Sequence, residues 1–258
     1  MAIVGQCRGW DVQTERVRPW HEHQDFFPHV PERSRFNRRL RTLMPAINRV
    51  RQAGVSILDV AHDRHCTSDS VPIAVVQLHL VPDASREWAV YHAPFGTVVT
   101  KKQTRYGDTL HLLVTRKGVI IDCVLALAHA SELTLGQALL LAHTDLVVLG
   151  DKGSMSQRLA TQRAAPNRLH LRTIPRRNQQ RQLVATVARL LKAQRHIIET
   201  VHDHLTQQCG IAPNHAHRFW GVCTRLYAKL TAHTLSIYLN RLLGNVDFLQ
   251  IKHVAFPN

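Results

Sequence analysis

The chain has 258 residues, is 45% hydrophobic and carries a formal charge of +15. That length allows one or two domains with a real core, and the charge points to a polyanionic partner, either nucleic acid or an anionic membrane. No run approaches the roughly 20 apolar residues of a spanning helix, and the first ten residues contain no secretory apolar segment, so the expectation is a cytoplasmic protein with no membrane partner.

Residues 1–30 are rich in Trp, His and Pro without a period and predict irregular structure or short helices. Phe36, Leu40, Leu43, Ile47 and Val50 recur at three- and four-residue steps. They predict a helix over Arg33–Gln52 that Pro45 kinks or divides and Gly54 closes. Val55–Val60 is a short apolar run, and Val71–Val81, bounded by Pro72 and Pro82, predicts a strand. Pro94, Gly96 and Lys101-Lys102 mark a loop or hairpin over 82–104. Thr109–Thr115 and Val119–Leu127, either side of Lys117-Gly118, predict a β-hairpin. Ser131–His143 predicts a helix. Leu146–Leu149 is a short apolar strand that delivers Asp151.

Ser156–Ala165 is a further helical candidate, Leu169–Ile174 alternates like an edge strand, and Arg176–Arg181 is a basic connection. Gln182–Gln207 predicts a long helix with an apolar stripe of Leu183, Val187, Leu190, Leu191, Ile197, Ile198, Val201 and Leu205. Gly210 and Pro213 break the chain, and His217–Leu243 predicts a last helical region ending at Gly244. This order of helices and strands fits an α/β mixed sheet flanked by helices.

Acids are scarce in so basic a chain, which singles out Asp69, Asp151 and Glu199. Asp69 and Asp151 adjoin predicted strands and Glu199 lies in the long helix. If the strand near Asp69 ran parallel beside Leu146–Leu149, the carboxyl ends of both would present aspartates on one rim, where open α/β sheets place ligands. Converging carboxylates can hold two divalent cations about 4 Å apart for phosphodiester chemistry. The bland alternatives are an Asx turn at Asp69, ordinary strand-end chemistry at Asp151 and a helical ion pair between Arg195 and Glu199.

Seven arginines and no acid lie between Arg33 and Arg51, Arg38 and Arg39 among them. Eleven Lys or Arg lie between Asp151 and Thr200, Lys152, Arg176, Arg177 and Arg195 among them. Each run alone reads equally well as a solvated face; flanking a carboxylate set, they suggest phosphate contacts. His202-Asp203-His204 and the other close histidines complete no zinc-ligand spacing with cysteine. The five cysteines form no Cys-x-x-Cys pair and predict free, largely buried thiols.

The sequence resembles insertion-sequence transposases of the DDE type. The resemblance rests on Asp69-Ser70-Val71-Pro72-Ile73, Leu110–Thr115 with Lys117-Gly118, Asp151-Lys152-Gly153, Arg195 ahead of Ile198-Glu199-Thr200, and Cys223–Tyr227 with Tyr238-Leu239-Asn240. It spans about Arg33 to Gly244. It implies a ribonuclease-H-like catalytic core in which Asp69, Asp151 and Glu199 bind two Mg²⁺ or Mn²⁺ ions. It further implies cleavage and strand transfer on double-stranded DNA, at element ends and target, by a homodimer associated with a bacterial-type nucleoid. Lys152 and Arg195, with Arg38, Arg39, Lys101, Lys102, Arg176 and Arg177, become the expected DNA contacts.

The matching division is a helical, basic 1–54, a catalytic core over 55–208, and a helical region over 209–258 packing on that core. Ser154 and Asp108 depart from the family pattern, and the amino-terminal part is short. These departures keep two other readings open: a catalytically inert DNA-binding remnant, and a related nuclease that hydrolyses without joining.

Overall fold

Val71, Ile73 and Val75 are buried, while Pro72 and Ala74 between them are exposed. This period-two pattern builds β1, His65–Val76, as a strand with one face packed and one open. The computed structural model describes residues 2–7, 24–26, 28, 29, 31–60, 62–76, 81, 82, 86–90, 95–98, 103–127, 139–150, 168–173, 184–211, 216, 218–245 and 247–251. The predicted helix at Ser156–Ala165 and the connection Arg176–Arg181 lie outside them.

Among the described residues, three helices precede β1: α1 (Ala2–Cys7), α2 (Arg33–Thr42) and α3 (Met44–Ile57). Pro45 divides the predicted helix instead of kinking it, because it sits in the first turn of α3, where its missing N–H is not needed. Gly54 does not close the helix. It lies inside α3, where an added Cβ would come 3.1 Å from Thr234 Cγ2, so this glycine serves close helix packing. The apolar run beginning at Val55 is accordingly the last turn of α3 and the bend after it.

After β1 come α4 (Glu87–Val90), β2 (Phe95–Val98), β3 (Gln103–Thr115), β4 (Ile120–Leu127), β5 (Val147–Gly150) and β6 (His170–Thr173). The chain then forms α5 (Ala185–Asp203), a π-helical turn over His204–Gln208, and α6 (Phe219–Leu242). The strands make one mixed sheet in the order β2-β3-β1-β5-β6, with β4 also paired to β3. β3 runs antiparallel to β1, β2 and β4, while β5 is parallel to β1 and β6 is parallel to β5. A mixed sheet flanked by helices bears out the expected architecture and is compatible with a ribonuclease-H-like fold.

The predicted hairpin is β3–β4. It turns at Gly118, whose φ of 77° favours glycine. Asp63 fastens this hairpin to the start of β1, accepting the His65 N–H on one carboxylate oxygen and the Arg116 N–H on the other. Gly107 of β3 faces the bulge at Ala74–Val76, where an added Cβ would lie 2.1 Å from the Ile73 carbonyl oxygen.

One face of the sheet, formed by Val71, Ile73, Val75, Leu110, Leu112 and Val114, packs against Ile198, Val201 and Leu205 and against Val222, Leu226 and Leu230 of α6. Cys66, Leu113 and Val148 on the other face meet Leu139, Leu140 and Leu169. α6 is buried along most of its length because α1, α2 and α3 cover the side away from the sheet. Its buried Thr224, Thr231, Thr234 and Ser236 hydroxyls donate to the carbonyls four residues back, so a polar helix can occupy a core position. Four of the five free cysteines are buried, and burial pushes the Cys66 and Cys223 thiols up to about 12.

The amino-terminal basic run is not one solvated face. Arg51 is 2% exposed, and its Nη1 donates to the Ile120 and Ile121 carbonyls while its Nε donates to Asn48. It is a tie between α3 and β4, not a phosphate contact. Arg51→Ala leaves both carbonyls without this donor, and a loss of roughly 3 kcal/mol in chemical denaturation is expected. A variant that unfolded together with the parent would show that the two carbonyls find other donors.

Candidate active site

The parallel pairing of β1 with β5 is short, matching His65, Cys66, Thr67 and Ser68 with Val147, Val148, Leu149 and Gly150. The register leaves Gly150, immediately before Asp151, beside Ser68, immediately before Asp69. Beyond Ser68, no described strand continues along that edge of β1. Pro72, which lacks an N–H to donate, is tolerated there. Asp69 is therefore not at the carboxyl end of its own strand, as the rim reading expected. It is the fifth of 12 residues in β1, and the rim forms because β5 ends next to it.

Asp69 pairs with Leu112 of β3 and shares the parity of Val71 and Ile73, so it faces α5. Its Oδ1 accepts the Ser70 N–H at 2.8 Å, and its Oδ2 lies 3.8 Å from His202 Nδ1. The Asp69 side chain is 41% exposed. α5 crosses this face because Ile198 and Val201 are buried in the sheet core. That anchoring leaves Glu199, between them in sequence, with its side chain 56% exposed on the solvent side of the helix.

Glu199 accepts from Arg195 Nε at 3.1 Å, one helical turn earlier, and His196 Nδ1 approaches its other oxygen at 3.9 Å. His202 follows Glu199 by three residues and so lies on the same side of the helix. Burial holds the His202 ring below the ordinary histidine range, against the opposing pull of Asp69, Asp203 and Glu199. Asp69 and Glu199 thus act on one imidazole from different elements. In the sequence, His202 stands out only within His202-Asp203-His204, a zinc-like cluster; its three-residue spacing from Glu199 is the signal for its place here.

Asp151 and Lys152 lie outside the described residues, as do Lys101, Lys102, Arg176 and Arg177. Arg38 and Arg39 are exposed on α2, whose Leu40 is buried toward α6. Among the described residues, no group of three His, Cys, Asp or Glu side chains could hold a metal ion. Asp69 and Glu199 nonetheless offer hard oxygen donors near solvent, which suits Mg²⁺ or Mn²⁺ by donor chemistry.

The amino-terminal half of α5 departs from its predicted stripe: Val187 and Leu190 are exposed. Leu190, Ala193 and Ile197 line a cavity of about 560 Å³ with His65, Arg116 and Lys117. This cavity sits by the start of β1, and its described lining includes neither Asp69 nor Glu199. No described helix is long and apolar enough to cross a membrane.

Residues 92–219 match the family model described as the transposase DDE domain. Asp151 and Glu199 fall inside that segment, and Asp69 precedes it. No curated protein and no solved structure matches the chain.

Proposed function

Because the chain belongs to the transposase DDE domain family, we propose that it cleaves DNA at the ends of an insertion element and joins those ends to target DNA. The observation that supports this reading is the register that sets Gly150 beside Ser68, each one residue ahead of an aspartate, with Asp69 on the sheet face crossed by Glu199's helix. Asp69, Asp151 and Glu199 are the carboxylates assigned to hold two Mg²⁺ or Mn²⁺ ions. Such ions, when bound, activate a nucleophilic oxygen and stabilise the leaving oxygen of an in-line displacement.

The rest of the reading concerns the chain's own groups. The Ser70 N–H fixes one oxygen of Asp69 and leaves the other turned toward α5. Arg195 orients Glu199 through a charge-assisted hydrogen bond and adds positive charge where a phosphate would lie. Lys152, Arg176 and Arg177, with Lys101, Lys102, Arg38 and Arg39, serve as DNA phosphate contacts in this scheme. They supply affinity that falls steeply with salt. Two copies acting on paired ends, a DNA-contacting 1–54, a core over 55–208 and a supporting 209–258 complete the proposal.

The test uses the full chain with DNA carrying the element's ends, in Mg²⁺ or Mn²⁺. Cleavage of those ends and joining of pre-cut ends are expected, and Asp151→Asn should abolish both while leaving DNA binding measurable. Salt-sensitive binding without cleavage would identify an inert DNA-binding relative. Hydrolysis without joining would identify a nuclease.

A further inference from the structure

Among the described residues, the buried Nε2 of His202 has no hydrogen-bond partner. The other ring nitrogen, Nδ1, faces Asp69 Oδ2 at 3.8 Å. A half-buried imidazole whose inner nitrogen is unsatisfied is normally a liability in a helix packed on a sheet, where an apolar side chain would serve better. The side chain is 22% exposed, stands one helical turn beyond Glu199, and feels the charge of Asp69, Asp203 and Glu199.

We propose that His202 is a positioning residue for Asp69. Its Nδ1 faces Oδ2 from α5 while the Ser70 N–H holds Oδ1 from β1, and as the Nδ1–H tautomer it would donate there. The carboxylate is then oriented from two elements, and α5 is coupled to β1 at the point where Glu199 must meet Asp69. The gap of 3.8 Å exceeds a hydrogen bond. A small approach of α5 to β1 closes it, as hydrogen bonds at catalytic groups commonly tighten when a site is loaded. Outer-shell partners of this type typically change metal affinity or activity by about 10–100-fold when removed.

This inference rests on the carboxylate reading above, and the experiment separates the two. Mn²⁺ binding to the full chain is followed by electron paramagnetic resonance, alongside thermal melting, for the parent, His202→Leu, His202→Asn and Asp69→Asn. His202→Leu is expected to weaken Mn²⁺ binding by about tenfold without lowering the melting temperature. His202→Asn, whose amide N–H falls near the position of Nδ1, should restore most of that affinity. A residue with only a packing role would show the reverse pattern, with melting changed and Mn²⁺ affinity intact, and that result overturns the proposal. Mn²⁺ binding unchanged in Asp69→Asn would overturn the carboxylate reading itself. Loss there with no effect of His202→Leu would overturn the positioning role alone.

Discussion

Asp69→Asn is expected to reduce Mg²⁺-dependent strand cleavage on the order of a thousandfold while leaving the fold intact. Cations held between carboxylates contribute several kcal/mol of transition-state stabilisation, and losing about 4 kcal/mol corresponds to that factor in rate. The fold should survive because Asp69 is partly solvent-exposed, and an asparagine carbonyl can still accept the Ser70 N–H. DNA binding should hold or tighten slightly, since the change removes one negative charge near the expected phosphate path. The assignment depends on this residue especially, because Asp69 precedes the segment matched by the family and is placed by the pairing of β1 with β5. Cleavage at the parental rate by a folded Asp69→Asn protein would remove it from the site.

The second large effect is on stability and concerns acid. His233, in the middle of α6, is fully buried, and among the described residues neither of its ring nitrogens has a hydrogen-bond partner. The His204 ring lies 5.7 Å away between centroids. Burial, aided by His204, pushes the His233 pKa down to about 3. Burial also lowers His204, against the pull of Asp203 and Asp247. The folded state therefore keeps a neutral ring where the unfolded chain would take up a proton.

Stability is full above the ordinary histidine pKa of about 6.5 and is lost as pH falls below it. The loss from His233 alone approaches 1.4 kcal/mol per pH unit and continues down to about pH 3. His233→Leu removes this proton linkage together with two unsatisfied nitrogens. It is expected to stabilise the protein by roughly 1–2 kcal/mol at pH 7, and by more at pH 5. Denaturation curves at the two pH values check this. Parallel acid loss in parent and variant would assign the sensitivity to other groups.

Much of the fold was legible because its signals are local. The β3–β4 hairpin was readable from two strand-forming runs around Lys117-Gly118, and Gly118 indeed takes the positive φ the turn needs. The end of α6 was readable from Gly244, which has a φ of 80°. The body of α5 and the π-helical turn after it were readable from Ile197, Ile198, Val201 and Leu205, whereas the amino-terminal half of α5 was not. Val187 and Leu190 follow the same period yet remain exposed, because periodicity marks a face without saying whether anything described lies against it. Gly54 misled for a related reason: a glycine admitting a neighbouring helix looks, in sequence, like one ending its own.

By itself, the amino-acid sequence determined the basic character of the chain, the order of its strands and helices, and which acids stand beside apolar runs. These follow from side-chain chemistry and short-range periodicity. Only the tertiary structure decided that β1 and β5, some eighty residues apart, lie parallel with Ser68 beside Gly150. Such pairing depends on which strand edges remain open once the hairpin has formed. Tertiary packing also withdrew Arg51 from the basic surface to hold two carbonyls of β4, and it turned His202 toward Asp69. Whether a charged or polar side chain meets solvent, a carbonyl or a carboxylate is set by elements distant in sequence, and no local pattern encodes it.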